Sequence, residues 1–147
     1  MGRKTVQTKR FIKATRRHLK GSRAVALLGF DLETAEPGHA VLLMDAQPRH
    51  KQLNGVVHGG ILAAMADTAA AIAAYTTVPK GTALATLELK INYLEAIPGG
   101  RVKADAHVLR TGRNFVVTEC EIFDGKGALA AKALLTFGAA GGHSLQK

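Results

Sequence analysis

The chain predicts an α+β fold in which one long helix is wrapped by a curved antiparallel sheet, with a further helix at the N-terminus. Three observations carry that reading. A single apolar, alanine-rich stretch with helical character runs from about His58 to Tyr75. Four strand-like segments come after it in succession, joined by short glycine-containing connections of the kind that set neighbours antiparallel. No alternation of strand and helix runs through the chain, which argues against a doubly wound parallel sheet. The central helix carries Ile61, Leu62, Met65 and Ile72 among many alanines, so it needs cover on most sides, and small side chains let strands approach it closely.

From the N-terminus, Phe11, Ile12, Thr15 and Leu19 share one face of a basic amphipathic helix over about residues 7–20. Ala24 to Glu33 reads as extended. Glu36-Pro37-Gly38-His39 turns the chain, and Ala40 to Met44 returns as a strand. Pro48 to Gly55 is a polar loop that leads into the helix, and Pro79-Lys80-Gly81 lies beyond its end. Ala85, Leu87, Leu89, Ile91 and Tyr93 then alternate with Thr86, Glu88, Lys90 and Asn92, the period of a strand. Ile97-Pro98-Gly99-Gly100, Thr111-Gly112-Arg113-Asn114 and Asp124-Gly125-Lys126-Gly127 set off three more strands, the last ending near Phe137. The domain organisation expected is a basic segment over 1–23, one domain over 24–138 and a flexible tail over 139–147.

Composition narrows the function classes. At 147 residues the chain holds one domain with a real core. Its net charge is +9, but nine of the bases lie within residues 1–23, where there is no acid; the remainder balances eleven bases against eleven acids. The basic character therefore belongs to the N-terminal segment, as a solvated helix face, an attraction for an anionic surface or ligand, or a transit peptide. The longest apolar run, Ile61 to Ala74, is interrupted by Asp67 and is too short to span a bilayer. A single cysteine, Cys120, excludes an internal disulfide and is compatible with a cytosolic location. His18, His39, His50, His107 and His143 lack metal-ligand spacing along the chain, and neither a phosphate loop nor a dinucleotide fingerprint is present, so no metal and no cofactor is expected.

The chemistry concentrates at the central helix. Val57-His58-Gly59-Gly60 leaves backbone N–H groups bare at a helix N-terminus, and Asp67 stands further along in an otherwise apolar run. Bare amides stabilise an oxyanion, and a carboxylate can activate water or attack as a nucleophile; together they suit acyl transfer to water. From Gly59 to Asp67 is eight residues, about 12 Å of helix. One rigid helix cannot bring both to a single carbonyl carbon. A two-fold dimer with antiparallel helices brings the helix start of one chain to the carboxylate of the other, so a dimer is required if the two features share one substrate.

The stretch from Gln52 through His58-Gly59-Gly60 to Asp67-Thr68-Ala69 resembles the signature of hotdog-fold acyl-CoA thioesterases of the phenylacetic-acid-degradation (PaaI-like) family. Leu87 to Leu94, Pro98-Gly99-Gly100 and the Thr111-Gly112-Arg113 turn resemble the strand and turns downstream of that signature in the family, and the likeness covers about residues 27–138. It implies a hotdog fold, an acyl-CoA substrate whose CoA is not a separate cofactor, and a homo-oligomer, with a tetramer suggested. It places Asp67 on the catalytic acid, Gly59 on the residue whose N–H polarises the thioester carbonyl, and His58 on the motif histidine beside it. Gln52 falls on a polar position close to the catalytic centre, with Asn54 as the alternative. Thr86 falls where relatives can place a hydroxyl that helps position the attacking water. Gly60 is expected to line the substrate site, and Gly112 with Arg110 and Arg113 to meet the CoA nucleotide.

Two other readings stand beside this one. A hotdog hydratase or dehydratase needs a further acid–base histidine paired with the carboxylate, and His58 sits at the wrong end of the helix within one chain. A non-catalytic acyl-CoA or nucleic-acid binding module would draw on the N-terminal bases, but RNA readers stack bases on sheet aromatics, and only 5% of this chain is aromatic.

Overall fold

The computed structural model describes residues 2–139, with side chains described from Ile12 onward. The order is α1 (Gly2–Gly21), α2 (Arg23–Leu28), β1 (Asp31–Glu36), β2 (His39–Ala46), one 3-10 turn (Pro48–His50), α3 (Gly59–Tyr75), β3 (Leu84–Tyr93), β4 (Gly100–Thr111), β5 (Phe115–Phe123) and β6 (Leu129–Ala139). The six strands form one antiparallel sheet in the order β1-β2-β4-β5-β6-β3. The expected hotdog arrangement is therefore present, with α3 packed on the inner face of the sheet. No helix of the described residues is long and apolar enough to cross a membrane.

Helix α3 buries Leu62, Met65, Ala66, Ala69, Ala70, Ile72, Ala73 and Ala74, largely at helical spacings of three and four. The inward sheet residues Leu42, Met44, Val102, Ala104, Ala106, Val116, Ile122, Leu135 and Phe137 close over them. Alanines on both sides of this contact bring helix and sheet together, so the helix is held as a rigid rod against the strands.

Two sequence expectations are corrected. The first is the extended segment over Ala24–Glu33, whose first half belongs to the helix Arg23–Leu28. Ser22 caps it by accepting from the Val25 N–H at 3.4 Å, and Gly29 ends it in the left-handed conformation with φ 66°. Half-buried Val25 and Leu28 pack against the same core, as do Ile12 and Leu19 of α1, and the Arg16 guanidinium donates to the Leu32 carbonyl at 2.8 Å. Helix α1 itself starts earlier than residue 7, and its exposed Lys13, Arg17 and Lys20 face solvent as expected. Phe11 lies outside the described side chains, and most of the expected tail, 140–147, lies outside the described residues altogether; Ala139 ends β6.

The second correction concerns β3. Strict alternation places Leu87 with Leu89 and Ile91 on the helix side and Thr86 opposite them. A β-bulge between Thr86 and Glu88 breaks the alternation: Thr86 pairs with Phe137, Leu89 with Leu135 and Ile91 with Ala133, all on the inner face. Leu87 is the extra residue and is 57% exposed. It lies over Gly138, where a Cβ would come within 2.9 Å of the Leu87 Cδ1. Strand β3 is also not the neighbour of β4 that the Ile97–Gly100 connection suggests: β4 already pairs with β2 and β5, so β3 pairs with β6 as the last strand of the sheet, and its outer edge carries no partner among the described residues.

Candidate active site

The approach to α3 is pinned before the helix begins. The His58 N–H donates to the His50 carbonyl at 2.8 Å, the Val57 N–H to the Ile97 carbonyl at 2.8 Å, and Lys51 and Val57 form an antiparallel bridge. His50 is fully buried, and its Nδ1 accepts from the Gln47 N–H at 3.0 Å. That bond leaves the ring proton on Nε2, so the 3.3 Å approach of Arg49 Nε to Nε2 is a contact rather than a hydrogen bond. Burial, with the nearby Arg49 charge, holds the His50 pKa below the ordinary imidazole value.

His58 is the N-cap of α3, and its Nδ1 accepts from the Gly60 N–H at 2.9 Å. The Ile61 and Leu62 N–H groups donate to the His58 carbonyl at 2.9 and 3.3 Å. Of the first four amides of the helix, only that of Gly59 has no acceptor among the described residues. The free donor thus falls at Gly59, at the positive end of a 17-residue helix. The Gly60 N–H, in a residue expected to line the substrate site, is engaged by the histidine cap. Both glycines lie close under neighbouring side chains, which would have to shift by a few tenths of an ångström to admit a Cβ. A Cβ at Gly59 would lie 3.0 Å from Tyr93 Cζ, and one at Gly60 would lie 3.1 Å from His58 Nδ1.

Strand β3 runs along this helix and touches it at both Gly59 and Asp67. The Tyr93 hydroxyl donates to the Gly59 carbonyl at 2.8 Å, and the Thr86 hydroxyl donates to Asp67 Oδ1 at 2.8 Å. Asp67 is half-buried, and its Oδ2 has no partner among the described residues. One carboxylate oxygen is therefore fixed and the other is open to a proton on water.

The remaining expected residues lie apart from these two clusters. Gln52 and Asn54 are exposed in the turn that closes through Gly55 N–H to Gln52 carbonyl at 2.9 Å, and no hydrogen bond links either side chain to Asp67 or Gly59 among the described residues. Gly112 shapes the β4–β5 turn by donating to the Phe115 carbonyl at 2.8 Å, with Arg110 and Arg113 exposed beside it. The Thr111 hydroxyl donates to Thr77 Oγ1 at 2.8 Å, which sets this turn at the C-terminal end of α3, opposite Gly59. Within one chain, then, the free amide, the carboxylate and the arginines are strung along the length of the helix. Cys120 is buried, and its thiol is pushed up to about 12 by burial first and by the Asp105 charge, so it is inert.

Two features escape a reading of the sequence alone. Tyr93 reads as a core residue of the strand but is 51% exposed and bonded to the helix start. His39, Asp105 and His107, which lack metal-ligand spacing along the chain, meet across β2 and β4. The Asp105-x-His107 spacing puts both on one face of β4, and that is the signal the sequence holds for the cluster.

Comparison with known proteins bears on the fold and the family. The thioesterase superfamily model matches residues 54–131, more than half of the chain. An esterase-named protein of Caenorhabditis elegans is 34% identical over 125 residues, covering 81% of this chain and 73% of its own. The 1,4-dihydroxy-2-naphthoyl-CoA hydrolase of Escherichia coli is 31% identical over 93 residues, covering 63% of this chain and 68% of its own. A solved thioesterase of Haemophilus influenzae matches with TM-score 0.83 at 25% identity over 92% of each chain. A mutant of the phenylacetic acid degradation protein PaaI of Thermus thermophilus matches with TM-score 0.74 at 28% identity, over 80% of this chain and 99% of its own. The chain belongs to the thioesterase superfamily, as a hotdog-fold thioester hydrolase.

Proposed function

We propose that this protein hydrolyses an acyl-CoA to the free carboxylic acid and CoA, at a site shared by two chains. Asp67 of one chain takes a proton from water as the water oxygen attacks the thioester carbonyl carbon. The Gly59 N–H of the other chain meets the oxyanion that forms. Collapse breaks the carbon–sulfur bond, and the CoA sulfur leaves with the proton that Asp67 held. Thr86 holds the carboxylate so that its free oxygen points at the water. Arg110 and Arg113 offer bidentate partners to the CoA phosphates.

The observation that carries this reading is the single free amide at Gly59, about 12 Å along α3 from the Thr86-held carboxylate. That separation is too great for one substrate carbonyl, so the pair works only between chains. The unpaired edge of β3, with Leu87 and Tyr93 exposed, offers a surface for a second copy. Asp67→Asn tests the assignment: kcat for acyl-CoA hydrolysis falls by about 100-fold or more with melting temperature unchanged. A variant that keeps near-normal turnover removes Asp67 from the mechanism.

A further inference from the structure

On the face of the sheet turned away from α3, β2 and β4 place two imidazoles and a carboxylate at adjacent positions. His39 opens β2 and pairs directly with His107 of β4, and Asp105 lies two residues back on the same face of β4. The buried neighbours Ala104 and Ala106 point the other way, into the core. The two rings stack with centroids 4.3 Å apart and planes within 8°. Both Nε2 atoms converge on one oxygen, Asp105 Oδ1, at 2.8 Å from His39 and 3.1 Å from His107. The three donor atoms lie within 4.8 Å of one another.

The surroundings suit a cation. Lys103 takes the other carboxylate oxygen at 3.2 Å and leaves Oδ1 to the imidazoles. Across β5, Glu119 stands opposite His107 and Glu121 opposite Asp105, and Lys132 of β6 bridges both glutamates at 3.1 and 3.0 Å. With the imidazoles neutral, three carboxylates face two ammonium groups, a net charge of −1. His39 and Asp105 are partly sheltered, at 27% and 21% exposure, while His107 is exposed at 52%, and all three stand on adjacent strands of the sheet.

We propose that His39 Nε2, His107 Nε2 and Asp105 Oδ1 form a binding site for one borderline divalent transition-metal ion of the Zn²⁺ class, clamping β2 to β4. Two imidazole nitrogens and one carboxylate oxygen are the donor set such ions take, whereas Mg²⁺ and Ca²⁺ prefer all-oxygen shells. On binding, each imidazole moves its proton from Nε2 to Nδ1, so both Nε2 lone pairs turn from the carboxylate to the ion with no net loss of protons. The remaining coordination position falls to water. The site lies across the sheet from Asp67, so its occupancy ties strands together and takes no part in hydrolysis.

The test uses full-length protein without a histidine tag, stripped by chelator and titrated with Zn²⁺ against a chromophoric chelator. The expected result is one equivalent bound per chain with a raised melting temperature, undisturbed by excess Mg²⁺. His107→Ala weakens binding roughly 10-fold or more, and His39→Gln with His107→Gln together abolishes it. Co²⁺ in place of Zn²⁺ gives visible d–d bands in the wild type that the double variant lacks. Asp105→Asn is a second, conservative probe and also weakens binding, and circular dichroism checks that each variant is folded. Acyl-CoA hydrolysis by the stripped protein is the same for the wild type and the double variant. Absence of stoichiometric binding by the wild type, or equal binding by the folded double variant, overturns the proposal.

Discussion

Replacing Gly59 by Ala sets a methyl group 3.0 Å from Tyr93 Cζ, 3.1 Å from Cε1 and 3.2 Å from Oη. Carbon contacts settle near 3.5–4.0 Å, so the ring must retreat by several tenths of an ångström. The retreat stretches the 2.8 Å bond from the Tyr93 hydroxyl to the Gly59 carbonyl and tilts the first peptides of α3. For stability the effects oppose each other. Losing the hydrogen bond costs about 0.5–1.5 kcal/mol, and Ala in place of Gly at the first residue of the helix returns less than the about 0.8–1.0 kcal/mol of an interior position. The melting temperature therefore moves by only a few degrees. Turnover responds far more, because Gly59 holds the one free amide of the helix start, and a misplaced oxyanion donor costs about 2.7–4 kcal/mol in the transition state. The expected result is a kcat lower by about 100-fold or more in a steady-state assay of CoA thiol release. Pairing the change with Tyr93→Ala relieves the crowding and restores part of the loss. A Gly59→Ala enzyme with kcat within threefold of wild type refutes this account of the glycine.

Two further outcomes rest on the same geometry. Thr86→Val removes the donor to Asp67 Oδ1 while keeping the side chain's shape, and a hydrogen bond to a carboxylate is worth about 1.5–3 kcal/mol. Stopped assays at saturating substrate then show kcat reduced by about 10-fold or more, and an unchanged kcat assigns Thr86 to the strand alone. His50 has a folded-state pKa below its unfolded value, so the unfolded chain binds the extra proton first. Its contribution to stability is full above about pH 6.5 and is lost as pH falls from there toward the folded pKa. Urea unfolding across that window shows a falling midpoint, and His50→Gln flattens the slope; a slope that survives the substitution assigns it to another group.

The central helix and the β4-β5-β6 succession are legible in the chain from periodicity and turn residues, whereas the pairing of β3 with β6 rather than with β4 is not. Alanine-rich spacing over Gly59–Tyr75 and glycine turns between β4, β5 and β6 leave few alternatives. The losses occur where a period is broken or where a contact has no period at all. Ser22 and Gly29 bracket a helix of only six residues, too short for periodicity to register. The bulge after Thr86 adds one residue to β3, which reverses the faces of Leu87 and Thr86 relative to the rest of the strand. That reversal delivers a hydroxyl to Asp67. Tyr93 and the His39–Asp105–His107 cluster depend on pairings between residues that lie 34 to 68 positions apart, as the Tyr93–Gly59 and His39–His107 pairs do. The candidate site divides in the same way. His58, Gly59 and Asp67 stand out by residue type on one helix, whereas the supports from β3 emerge only once its register is known.

Subunit complementation tests the shared site most directly. Asp67→Asn and Gly59→Ala chains, each nearly inactive alone, are unfolded, mixed in equal amounts and refolded together. If each site takes Gly59 from one chain and Asp67 from its partner, every mixed dimer regains one intact site and loses both groups from the other. Random pairing makes about half of the dimers mixed, so the mixture recovers about one quarter of wild-type turnover. A mixture no more active than its two components contradicts a site built from two chains.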